Sequence, residues 1–223
     1  GAGSVDECVR NLVAAGTDPD QVALTLHFQI NRNHDEEPLG GVVESVKGIA
    51  KAAEVYRTPI ALVRESAADE FSVTVGAIGC FGESGSTSHS LQESDSLIAI
   101  VGTTENPLGG SKLARMVGIQ NAYVPETHHR KNAAIYHSLF DGTKCGWVRA
   151  ARAIGEGGLA ASLAHWLLEG NCGLDVNLDH LPVTGKLSHT SMMFAETPGR
   201  ILLEIAHNDR PMVEALFAGQ AFG

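Results

Sequence analysis

Val22-Ala23-Leu24-Thr25-Leu26-His27-Phe28-Gln29-Ile30 is the stretch whose reading decides the fold. Val22, Leu24, Leu26, Phe28 and Ile30 alternate with Ala23, Thr25, His27 and Gln29, the period of two that gives a strand one buried face. Downstream, Val42, Val43, Val46, Ile49, Ala50 and Ala53 recur at helical spacing, so residues 39–56 read as a long amphipathic helix packing on that strand. Pro59-Ile60-Ala61-Leu62-Val63 then restarts extended structure. Residues 31–37, with the run His34-Asp35-Glu36-Glu37, read as a polar loop between strand and helix. Upstream, residues 5–15 form a helix that Ser4 can cap and Gly16 can end, followed by a turn at Thr17-Asp18-Pro19-Asp20. Gly1-Ala2-Gly3-Ser4 reads as an expression scar ahead of a chain entered in mid-domain.

Residues 71–81 are β-like, and residues 82–90 are a Gly, Ser and Thr run that reads as a linker or exposed turn, placing a boundary between one unit at 5–90 and another at 91–223. The second unit holds a strand at Leu97–Val101, a Gly-rich loop at 103–110, a helix, and a helical stretch around 132–140. Residues 147–154 fit either a strand or a short helix. A strong helix spans 159–168, Val176 and Leu178 look like strand, and Ile201–Ile205 is a strand. Residues 208–218 form a last helix with Asn208 as cap and Pro211 in its first turn. The mixture is α/β to α+β.

The 16 basic and 26 acidic side chains leave a net charge of −10, against a protein held to nucleic acid by bulk charge. The longest apolar run, Leu97–Val101, is far short of the roughly 20 residues that cross a bilayer, so no membrane is expected. Cys8, Cys80, Cys145 and Cys172 are scattered with no Cys-x-x-Cys pair, which suits a reduced cytoplasm. The 25 glycines follow no Gly-X-Y period, so they belong to turns.

Two loops have the order strand, glycines, helix: Gly102 through Gly109-Gly110-Ser111, and Gly155-Glu156-Gly157-Gly158. Their amides can hold a phosphate or carboxylate, or simply make tight turns; neither has Rossmann or P-loop spacing. Glu7 and Asn11, four apart on one helix face, can offer oxygen ligands to Mg²⁺ or form an ordinary solvated face. Arg64-Glu65-Ser66 follows a strand, where ligands are met in open α/β sheets, although a charged turn also fits.

Taken together these stretches follow one order: Asp6-Glu7 with Arg10-Asn11, Gly16 with Asp18-Pro19, Ala23-Leu24 in a strand, Gly40 to Ala53 in a helix, then Tyr56 and Pro59-Ile60. Leu108-Gly109-Gly110-Ser111, Glu156-Gly157-Gly158-Leu159-Ala160 and the segment from Glu196 to Glu204 complete it. Over residues 5–222 the chain resembles the second internal half of phosphoribosylformylglycinamidine synthase, in the aminoimidazole ribonucleotide synthetase superfamily. The resemblance implies a two-domain synthetase half with its N-terminal part truncated, whose α/β strands join a barrel with a partner half. It implies ATP or ADP with Mg²⁺ as cofactors, activation of a formamide oxygen by phosphorylation, and ammonia from a glutaminase subunit or domain. Arg64, Glu65, Ser66, Gly157 and Gly158 are then nucleotide-binding, Glu7 and Asn11 metal ligands, and Gly109, Gly110 and Ser111 an interface or phosphate loop; no catalytic residue is assigned.

This chain also departs from the pattern. Leu62-Val63-Arg64-Glu65-Ser66 stands for Ser-Gly-Lys-Asp-Ser, losing a glycine that lets a backbone approach phosphate. Ala153 stands where a magnesium-binding carboxylate is expected. The expectations are therefore an ATP-dependent ligase fragment inactive without the first half, or alternatively a degenerate scaffold half that binds no nucleotide. A homodimer pairing open strand edges, Val22–Ile30 among them, is expected for the fragment.

Overall fold

The computed structural model describes residues 1–31, 36–82, 85–120, 122–170 and 172–223. The alternating stretch becomes β1 (Thr17–Ile30), with Val22, Leu24, Leu26 and Phe28 buried on one face. It starts earlier than expected: the Thr17–Asp20 turn is strand, accommodated by a break in register between Thr17 and Val22. α1 (Ala2–Ala14) lies against this strand, and residues 2–4, read as a scar, continue the helix. α2 (Glu36–Tyr56) packs mainly on α1 rather than directly on β1, with Ile49, Ala52, Ala53 and Tyr56 reaching the same core. Of the His34–Glu37 run, His34 and Asp35 lie outside the described residues, while Glu36 and Glu37 open α2.

β2 (Ile60–Ala67) runs parallel to β1, and β3 (Ser72–Phe81) antiparallel, in the order β2-β1-β3. β1 is thus the central strand; the edges open to a partner are β2 and β3, not Val22–Ile30. The sheet face away from α1 carries Leu62, Thr25 and Ile78 in neighbouring register, and Ile78 is 71% exposed.

The second sheet has the order β4-β6-β5, all antiparallel, from β4 (Leu97–Val101), β5 (Val148–Ala153) and β6 (Ile201–Ile205). Residues 147–154 resolve as strand because small buried Ala150 and Ala151 fit between β6 and the helices. One face, with Ala99, Val101, Leu203 and Ile205, packs with α4 (His129–Lys144) and α7 (Arg210–Leu216) into the core that also holds α1 and β1. The other face, with Ile100, Ala150 and Leu202, meets Leu159, Leu163 and Trp166 of α5 (Gly158–Glu169).

Two short helices complete the fold, α3 (Lys112–Val117) and α6 (His189–Phe194), the latter capped by Ser188 and unexpected from its six residues. Val176 is not in a strand, and Leu178 begins a 3₁₀ turn, Leu178–His180. The last helix starts two residues later than expected, after a 3₁₀ turn at His207–Asp209. Within the run read as a linker or exposed turn, Thr87 is buried, its amide bonds the Ala15 carbonyl at 2.9 Å, and Ser88 bridges to Ala150. Among the described residues no helix is long and apolar enough to cross a membrane.

Candidate functional site

The two glycine loops meet at one carboxylate. Glu196 Oε1 accepts the backbone N–H of Lys112 at 2.7 Å and of Gly157 at 2.8 Å, so a single side chain joins the start of α3 to the residue capping α5. On the outside, Glu156 accepts from Lys112 Nζ at 3.2 Å and Arg115 Nη2 at 2.9 Å. The hydrogen bond from Lys112 and the charges of Lys112 and Arg115 hold the Glu156 carboxyl below its usual range.

The glycines are required by close packing. A Cβ on Gly109 would lie 2.2 Å from the Ala122 carbonyl oxygen, and one on Gly158 would lie 2.6 Å from the Ala195 oxygen at a φ of +67°. Ser111 is buried and its hydroxyl accepts from Ala114 N at 3.1 Å, so it caps α3. Thus the amides and hydroxyl that could cradle a phosphate are engaged with the protein itself at Lys112, Gly157 and Ala114.

The other expected positions lie elsewhere. Arg64, Glu65 and Ser66 are inside β2, not in a turn after a strand, and Arg64 is exposed. Ser66 Oγ lies 2.9 Å from His27 Nε2 across the strand pair. These three lie on β2, paired with β1 in the first sheet, whereas Gly157 and Gly158 start α5, which packs on the second sheet. Glu7 and Asn11 are both exposed on α1, and the described residues contain no cluster of three or more His, Cys, Asp or Glu placed to hold a metal. Ala153 sits in β5 opposite Ile201 and has no donor atom to offer.

Sequence reasoning missed the most connected polar group, Asp6, one residue from Glu7 and fully buried. Its Oδ2 accepts from Arg10 Nη1 at 2.7 Å, and its Oδ1 accepts from Tyr56 OH at 2.5 Å, Asn132 Nδ2 at 2.8 Å and Tyr136 OH at 2.8 Å. The network ties α1 and α2 to α4, across as many as 130 residues of chain. Burial and the Asp6 charge push both tyrosines well above the ordinary phenol pKa, keeping them as donors. The signal was available: Asp6 and Arg10, four apart, share the helix face of Val5, Val9 and Val13, where an unpaired charge is costly. A second buried carboxylate, Glu204 in β6, accepts from the amides of Gln92 at 2.8 Å and Glu93 at 3.0 Å and from Ser96 Oγ at 2.8 Å, fastening the entry to β4.

Two three-stranded sheets sharing one core, the first mixed with β1 at its centre and the second antiparallel, together with a Gly-Gly-Ser loop and a Gly-Gly helix start joined by a glutamate, define an aminoimidazole ribonucleotide synthetase-like fold. Residues 93–222 match the family model "AIR synthase related protein, C-terminal domain", and the chain belongs to that family. Among curated relatives, phosphoribosylformylglycinamidine synthase subunit PurL of Thermococcus sibiricus is 27% identical over 221 residues, 96% of this chain but 31% of that protein. The chain therefore spans about a third of the length of the curated relatives it matches. Solved structures of Thermotoga maritima PurL share the fold at low identity: with FGAR, TM-score 0.78 and 15% identity over 99% of this chain and 37% of that one. With ATP the values are 0.74 and 16% over 100% and 35%.

Proposed function

We propose that this chain forms the second-half portion of a phosphoribosylformylglycinamidine synthase, a carbon–nitrogen ligase of purine biosynthesis. The observation carrying this reading is the junction at Glu196, where the loops that the resemblance singles out come together across 39 to 84 residues of chain. In the whole enzyme, ATP with Mg²⁺ converts the formamide oxygen of formylglycinamide ribonucleotide into a phosphate leaving group, and glutamine-derived ammonia displaces it. An amide oxygen leaves poorly, and phosphorylation supplies the missing driving force; the protein positions the reactants and neutralises developing charge. This portion acts with a first half that provides the turnover site, and with a glutaminase subunit, in the cytoplasm. By itself the fragment is inactive, and its units at 5–90 and 91–223 dock against a partner half, or as a homodimer, through the exposed face carrying Leu62 and Ile78.

A second reading is favoured by a specific observation: the Lys112 and Gly157 amides are held by Glu196, and Glu7 with Asn11 lacks a third ligand among the described residues. On that reading the portion is a scaffold that packs the synthetase and binds no nucleotide. Calorimetric titration with ADP and Mg²⁺ separates the two: micromolar binding removes the scaffold reading, and absence of heat up to millimolar ADP removes nucleotide binding by Arg64, Glu65, Ser66, Gly157 and Gly158. If a full-length parent chain shows no ATP- and glutamine-dependent amidation of formylglycinamide ribonucleotide, the ligase assignment fails.

A further inference from the structure

Arg200 is fully buried, one residue ahead of β6. Among the described residues its guanidinium donates three hydrogen bonds, all to neutral oxygens: Nε to the Thr197 carbonyl at 3.1 Å, Nη1 to Thr104 Oγ1 at 2.9 Å, and Nη2 to the Ala195 carbonyl. Taking a guanidinium out of water is costly, and apolar side chains of similar volume often fill such a space as well or better. Packing therefore does not account for an arginine here. What arginine alone offers is a rigid planar fork that holds several acceptors in one fixed geometry.

All three acceptors bear on the junction at Glu196. Ala195 and Thr197 flank Glu196, so the fork pins the backbone on both sides of the residue whose carboxylate takes the Lys112 and Gly157 amides. Thr104, itself fully buried, lies near the start of the loop that runs through Gly109, Gly110 and Ser111 into α3. A bond from Glu105 N to Thr197 Oγ1 at 3.0 Å closes the same circuit. The Ala195 carbonyl also abuts the start of α5, where a Cβ on Gly158 would lie 2.6 Å from it. At the base of the clamp is Gly199, at φ +84°, where a Cβ would lie 2.2 Å from Asn132 Oδ1; Nδ2 of the same amide donates to Asp6.

We propose that Arg200 is the positioning residue of the Glu196 junction: its fork sets residues 195–197 against the loop at Thr104, and so fixes the reach of Glu196 to both glycine loops. The clamp stands on Asn132, so the buried Asp6 network and the two loops are held in one frame. The inference rests on the junction being the site, and it is read on two amides rather than on amidation. Failure of the ligase assignment and failure of this proposal are therefore separate results.

Hydrogen exchange of the 223-residue chain, followed by amide NMR, tests it with variants that leave the arginine in place. Thr104→Val removes one acceptor of the fork and Thr104→Ser keeps it. Relative to Leu203, central in the second sheet, the Lys112 and Gly157 amides of Thr104→Val should exchange at least about tenfold faster, and Thr104→Ser should return them to within about twofold of wild type. In a Glu196→Ala background, where both amides are already released, Thr104→Val should add less than about twofold, because the clamp acts through Glu196. Arg200→Lys, which keeps the charge and loses the fork, should behave as Thr104→Val does; if it does not fold, the Thr104 series carries the test. Equal acceleration at Leu203 in Thr104→Val would reduce Arg200 to a general contribution to stability and overturn the proposal. So would a full additional effect of Thr104→Val in the Glu196→Ala background, or a folded Arg200→Lys with wild-type exchange at both amides.

Discussion

Asp6 gathers four donors from three helices on one buried carboxylate. Removing it leaves the buried Arg10 guanidinium uncompensated, so Asp6→Ala should cost about 3–5 kcal/mol in urea unfolding. His129 Nδ1 lies 3.2 Å from Tyr56 OH, whose proton goes to Asp6; the oxygen thus accepts from a neutral ring protonated at Nδ1. Burial lowers the His129 pKa below its ordinary value of 6.5. The unfolded chain then binds more protons as pH falls, so this contribution is present above about pH 6.5 and is lost on acidification through the lower folded value. The wild-type Tm should fall more steeply between pH 7 and pH 5 than that of His129→Gln; parallel curves would contradict it. The signature glycines give a matched pair: Gly158→Ala, at φ +67° and against the Ala195 oxygen, should cost about 1–3 kcal/mol, whereas Gly155→Ala, with open space around it, should stay within about 0.5 kcal/mol.

Among elements, those set by one clear period were legible and those set by long-range contact were not. Val22–Ile30 and Ile201–Ile205 announce themselves by apolar pattern, and α2 by its helical spacing. Thr17–Asp20 carries turn residues yet is strand, because pairing of Thr17 with Phe81 overrides the local preference of Asp18 and Pro19. Val176 and Leu178 have strand composition but no ladder partner, so composition alone misled. The docked state of residues 85–90 depends on Ala15 and Ala150, which no local pattern reveals. At the candidate site, the loops at 109–111 and 155–158 were legible as glycine-rich helix entries, but the carboxylate that joins them was not, since Glu196 is distant in sequence from both. Glu196→Ala should free the amides of Lys112 and Gly157, raising their hydrogen-exchange rates by at least about tenfold while those of β6 hold; unchanged exchange would show that the junction does not fasten the two elements.

On the scale of the molecule, the first sheet covers only one face with helices and leaves the other with exposed Leu62 and Ile78, while the second sheet is covered on both. A single core spans both sheets and the Asp6 network links α1 and α2 to α4, so the chain should unfold in one transition; separate transitions for probes in β1 and β6 would contradict that. The open face and the third-length match to the curated relatives fit a portion that works beside further synthetase sequence. The measurement that tests this most directly is reconstitution: the first two thirds of a PurL relative, lacking the region matched here, mixed with this chain and a glutaminase. ATP- and glutamine-dependent amidation of formylglycinamide ribonucleotide that needs both polypeptides is the predicted result; a stable complex of the two with no amidation, or no association at all, would contradict it.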